Sequence, residues 1–101
     1  MTVRRVQWIN PPALVPEDAT VTYYLRVIRH PDNRLLVVSA FDAAAIQVSE
    51  MRRELDGAHS QALWNIAWRL DVGAFELIAA VFDQTHQVGR DRHTLTVYAT
   101  R

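Results

Sequence analysis

Residues Trp64 to Val97 read WNIAWRLDVGAFELIAAVFDQTHQVGRDRHTLTV. Trp64, Ile66, Trp68 and Leu70 alternate with Leu63, Asn65, Ala67 and Arg69. A turn follows at Asp71-Val72-Gly73. Phe75, Leu77, Ala79 and Val81 then alternate with their neighbours, and after a polar loop Leu95, Val97 and Ala99 do so again. Successive side chains of an extended chain point to opposite faces, so three period-two runs joined by turns predict a half-buried antiparallel sheet. The strands expected are Gln61–Leu70, Phe75–Phe82 and His93–Thr100. The loop DQTHQVGRDR joins the last two, with Gly89 free to adopt a positive φ.

The rest of the chain is read outward from this block. Val3–Ile9 reads as a first strand, stopped by Asn10-Pro11-Pro12 because proline has no donor for a ladder. Thr20–Arg29 (TVTYYLRVIR) is rich in β-branched and aromatic residues, which suit a pleated surface. Val21, Tyr23, Leu25 and Val27 share one face, and Thr22, Tyr24, Arg26 and Ile28 the other. His30-Pro31-Asp32-Asn33 reads as a turn, since proline presets one backbone angle and Asp and Asn tolerate the left-handed region. Arg34–Phe41 forms the next strand, and its Leu35-Leu36-Val37-Val38 run suggests burial on both faces. Asp42–Leu55 admits two readings. Ala44, Val48, Met51 and Leu55 fall at helical spacing behind a capping Asp42, whereas Ile46 and Val48 also fit a strand. The preferred architecture is an all-β, antiparallel sandwich of about seven strands in one domain over residues 1–101. The alternative is an α+β fold with two central helices on a four-stranded sheet.

Composition narrows the function classes. The chain has 101 residues, half of them hydrophobic, which suffices for one cored domain. Eleven basic residues balance eleven acidic ones, so the surplus of positive charge expected of a nucleic-acid binder is missing. There is no cysteine, which removes disulfides, thiolate metal sites and a cysteine nucleophile. No apolar run is long enough to span a bilayer. The segment MTVRRVQWINPPALVP has no apolar stretch behind its arginines and does not read as a signal peptide.

The block LDVGAFELIAAVFD, followed by a polar loop and HTLTVYA, resembles the last two strands of bacterial immunoglobulin-like and fibronectin-type-III-like modules. Gly73 and Phe75 occupy the corner position, with phenylalanine where those modules usually have tyrosine. The resemblance implies a non-catalytic module acting as spacer, docking or adhesion domain within a larger exported bacterial protein, hence an extracytoplasmic location. It implies a protein partner, a neighbouring domain or subunit, and neither enzyme activity nor a cofactor. A carbohydrate-binding module and a small α+β regulatory or inhibitor protein are the alternatives.

Candidate site residues fall into three groups. Trp8, Tyr24 and Tyr98 are candidate stacking platforms for a glycan. Ile28, Leu36, Ile78 and Phe82 are the candidate interface, because the face opposite Phe75 is unusually apolar for solvent. His86 and His93, with Asp83 and Asp91 nearby, flank the last loop. Their spacing matches no zinc motif, and no metal site is assigned. Ser39, Ser49 and Ser60 lie in no nucleophile elbow, and no catalytic residue is assigned.

Overall fold

A computed structural model describes residues 5–100, so Val3 and Arg4 of the expected first strand lie outside the described residues. Eight strands form: β1 (Val6–Ile9), β2 (Leu14–Pro16), β3 (Val21–Val27), β4 (Leu35–Phe41), β5 (Gln47–Glu54), β6 (Leu63–Trp68), β7 (Gly73–Phe82) and β8 (Gln87–Tyr98). The only helical element among the described residues is one 3-10 turn, Gly57–His59. The strands make two sheets, ordered β1-β3-β6 and β2-β8-β7-β4-β5. All pairings are antiparallel except β2 with β8, which is parallel. The all-β sandwich is therefore the fold, with eight strands among the described residues where about seven are expected, and those residues form neither of the two central helices of the α+β alternative.

Alternation places the core as the sequence implies. Tyr23, Leu25 and Val27 of β3 are buried, while Thr22, Tyr24 and Arg26 are exposed. On β7, Phe75, Leu77, Ala79 and Val81 point inward and meet Leu36, Val38 and Ala40 of β4 and Leu95 and Val97 of β8. Trp64, Ile66 and Leu70 are partly buried against this core, and Trp68 is fully inside. Trp8 of β1, Tyr23 of β3 and Trp68 of β6 form one ring cluster, with centroids 5.7–6.4 Å apart. Such tilted and edge-on contacts are favourable beyond the area they bury.

The ambiguous segment resolves as strand. Asp42 caps a tight turn rather than a helix: its Oδ1 accepts from the amides of Ala44 and Ile46, both at 2.9 Å. Ala45 takes φ 61° in that turn. The chain then returns as β5, which pairs along β4 from Leu35↔Glu54 to Phe41↔Gln47. Helical spacing misled here because Met51 and Leu55 are the inward residues of a strand and the bend after it. Ile46 and Val48 are exposed.

Two other local expectations change. The segment read as a long loop is mostly strand: β8 starts at Gln87, and only 83–86 remain as the hairpin turn. Gly89 lies inside β8 and does not take a positive φ. It is small for a different reason. A Cβ there would sit 2.5 Å from Arg5 Cβ and 3.0 Å from Arg5 N. The small sheet leans on β8 at this point, and Trp8 closes the contact. The Trp8 amide donates to Asp91 Oδ2 at 2.9 Å, and its indole N–H donates to the Asp91 carbonyl at 3.3 Å.

Two outcomes are expected. Gly89→Ala overpacks the Arg5 contact and lowers stability by about 1–3 kcal/mol, read as a lower denaturant midpoint. Burial raises the Tyr23 hydroxyl above its ordinary value of 10.0. The folded state therefore holds that proton after the unfolded state has released it. Its contribution is complete below about pH 10 and is lost as pH climbs through the raised value. Unfolding midpoints measured above pH 10 fall less steeply in Tyr23→Phe than in the parent protein.

Candidate functional site

A sandwich gathers its connections at its two ends, where loops held by a rigid frame carry function. One end brings together the β3–β4 turn, the 3-10 turn after β5 and the β7–β8 hairpin. Asn33 ties them. It is fully buried, and its Nδ2 donates to the Ile28 carbonyl at 3.0 Å. Its Oδ1 accepts from Arg5 Nη1 at 3.2 Å, and its own carbonyl accepts from the Gly57 amide at 3.0 Å. The next residue links the third loop: the Arg34 amide donates to the Phe82 carbonyl at 2.8 Å.

Gly57 is required at this junction. It has φ +53°, and a Cβ there would lie 2.8 Å from the Pro31 carbonyl oxygen. The Arg34 guanidinium binds the same place, with Nη1 donating to the Pro31 carbonyl at 2.7 Å and the Asn33 carbonyl at 2.8 Å. Ser60 finishes the corner: its hydroxyl accepts from the Asp56 amide, and its carbonyl accepts from Arg29 Nε at 3.0 Å.

Around this frame stand His30, His59 and His86, three of the four histidines. The His30 ring lies 3.7 Å from the Asp32 carboxylate, and Nδ1 accepts from the Asp32 amide. Asp83 orders the hairpin. Its Oδ1 accepts from the amides of Thr85 at 2.7 Å and His86 at 2.6 Å. Those two backbone hydrogen bonds hold the Asp83 carboxyl below its ordinary 3.8, with the nearby His86 ring adding in the same direction. Asp32, Arg34, Asp83, Gln84 and Thr85 line an open polar cleft of about 360 Å³.

The fold is similar to that of a superoxide reductase. The protein in question is superoxide reductase (neelaredoxin) from Ignicoccus hospitalis, with a TM-score of 0.73 at 13% sequence identity. The likeness covers 94% of this chain and 81% of that one. No protein-family model and no curated protein sequence matches the chain. The structural likeness overturns the immunoglobulin and fibronectin resemblance read from residues 70–99. The Gly73–Phe75 corner and the last two strands exist, but alternation of this kind is common to sandwiches and does not single out that family. The spacer, docking or adhesion role fails with it, as does the expectation that the chain is no enzyme, since both rested on that resemblance. Of the associated descriptions, only the β-sandwich character remains.

The sequence-derived site residues are scattered. Trp8 is buried in the ring cluster and offers no platform. Tyr24 and Tyr98 are exposed but belong to different sheets, so they share no stacking surface. In the candidate interface, Leu36 points into the core opposite Val81, and Ile28 lies beyond the end of β3. Only Ile78 and Phe82 lie on the outer face of the five-stranded sheet, half-buried opposite Ser39 and Leu35. His86 and His93 do not meet. Six residues of strand, 87–92, lie between them, so their backbones stand roughly 23 Å apart at about 3.3 Å per step. His93 instead contacts the Pro12 carbonyl at 2.7 Å.

Asn33, Arg34 and Gly57 carry the loop end, and none of them is among the candidate site residues of the sequence. The turn at 30–33 lies where the sequence puts it, but Asn33 does not use a positive φ. Its value lies in the buried amide, which sequence spacing does not report. Asp56-Gly57 is a turn signal in the sequence, and the special backbone angle falls at Gly57.

Asn33→Ala leaves the Ile28 carbonyl and Arg5 without their partner and lowers stability by about 1–3 kcal/mol in chemical denaturation. In an NMR pH titration, Asp83 protonates below the ordinary aspartate value. Its folded-state contribution is present above about pH 4 and fades as pH falls through that lowered value, and Asp83→Asn removes this dependence.

Proposed function

We propose that this chain is an oxidoreductase and that superoxide is its substrate. The observation that supports the reading is the fold likeness to superoxide reductase over 94% of the chain. The loop end is the proposed place of reaction. It offers Arg34 and three histidines to a small anion, and it is open to solvent.

Reduction of superoxide consumes one electron and two protons and yields one hydrogen peroxide. The electron needs a carrier. The chain's own donors do not fit a resident metal centre: there is no cysteine, and among the described residues no three His, Asp or Glu side chains are placed to hold an ion. His30 and His86 are already engaged with their own loops. The proposed carrier is therefore an external one-electron donor, a redox protein or a small metal complex, which docks at the loop end. The residues there hold the anion and supply protons.

The test is superoxide consumption with peroxide yield, using purified protein with and without a one-electron donor, and again after incubation with ferrous iron. The expected result is donor-dependent removal that forms one peroxide per superoxide, where dismutation forms one for every two. The triple replacement of His30, His59 and His86 by alanine is expected to lower that rate while leaving the fold intact. A rate equal to spontaneous dismutation under every condition would remove the reading.

A further inference from the structure

We infer that the chain pairs with a second copy of itself through the free edge of β6, joining two small sheets into one of six strands, β1-β3-β6-β6-β3-β1. A sheet edge exposes unpaired N–H and C=O groups and is a template for another strand unless something blocks it. Three of the four edges here are blocked. β1 has four residues, and its Trp8 amide is occupied by the Asp91 carboxylate. β2 has three residues and ends in Pro16. β5 carries Glu50, Arg52, Arg53 and Glu54.

β6 is blocked least: on its free side the Leu63 carbonyl is engaged by the side chain of the neighbouring Gln61. Its sequence is LWNIAW, without charge, proline or glycine. One side pairs with β3 from Arg26↔Leu63 to Val21↔Trp68. The hydrogen bond from the Val27 amide to the Ala62 carbonyl sets the phase of that ladder. Antiparallel alternation then turns the backbone groups of Ala62, Trp64, Ile66 and Trp68 toward β3 and those of Leu63, Asn65 and Ala67 away from it. The Leu63 carbonyl confirms the phase, because it accepts from the side chain of Gln61 at 2.9 Å on the free side.

The occupant follows from charge and symmetry. A two-fold axis at Asn65 places Asn65 opposite Asn65 and Leu63 opposite Ala67, with about six backbone hydrogen bonds, two of them to the Leu63 carbonyls that the Gln61 side chains also reach. On the inward face it sets Trp64 opposite Ile66. Those two side chains are half-buried where Trp68 is buried, so apolar surface remains for a partner to cover. An edge without charge meets its own copy with no like-charge contact. The symmetry is the isologous kind that closes at two subunits. Leu63 is 61% exposed and Tyr24, beside Asn65 on β3, is 53% exposed, so the approach is open.

The test is the mass in solution, by light scattering or sedimentation up to about 1 mM protein. A dimer of twice 11.6 kDa is expected. Asn65→Lys sets two ammonium groups against each other at the axis without touching the β3 ladder, and it is expected to give a monomer with an unchanged circular dichroism spectrum. Ala67→Lys sets an ammonium group against Leu63 of the second copy, where Arg26 stands beside it on β3, on either side of the axis, which covers the case in which the first variant folds poorly. Exchange of the Asn65 and Ala67 amides with deuterium slows with rising protein concentration in the parent protein only. A parent protein that stays monomeric over the whole range overturns the inference, and so does a dimer that persists in both lysine variants.

Discussion

The small sheet holds its place through one aromatic cluster. β1, β3 and β6 each contribute a single large ring, and Trp8, Tyr23 and Trp68 meet between the two layers. The two indole rings are each fixed a second way. Trp8 is tied to Asp91 on β8, and Trp68 donates to the Ser49 hydroxyl on β5 at 2.9 Å. These bonds reach opposite sides of the larger sheet. A slip of one residue in any small-sheet strand would turn its ring to solvent and break a bond to the other layer. Register within the sheet and alignment between the sheets are thus one constraint.

The inward positions were legible because burial on one face leaves a period-two trace. Tyr23, Leu25 and Val27 on β3, and Phe75 to Val81 on β7, lie where alternation puts them. The trace is weakest where a strand lies at the edge and carries charge. β5 has one fully buried residue, Met51, so its pattern mimicked a helix. What close approach demands leaves no period at all. Gly89 reads as a turn residue in sequence, yet it is small because Arg5 lies against it. Partner choice in the loops was equally hidden. Two histidines flanking a segment look adjacent only if that segment is a loop, and here it is strand. Family likeness failed for a related reason: a glycine corner and an alternating last strand are properties of sandwiches in general, whereas the order β2-β8-β7-β4-β5 is fixed by the whole chain.

The fold likeness and the side-chain inventory constrain function from different directions. A shared scaffold brings loops to similar places, but chemistry depends on the residues those loops present. Here they present a buried amide, an arginine held by two carbonyls and three imidazoles, all on turns stiffened by short hydrogen bonds. That arrangement suits a small polar species at the surface better than an enclosed ion.

Asn33 has a consequence for how this protein can vary over time. Its side chain and carbonyl hold the ends of segments that lie far apart along the chain, from Arg5 to Gly57. Lengthening one of those segments alone would pull its anchor away from the other two. Tinkering at this end therefore has to be concerted, and homologous chains that keep an asparagine here will also keep the spans of the neighbouring connections.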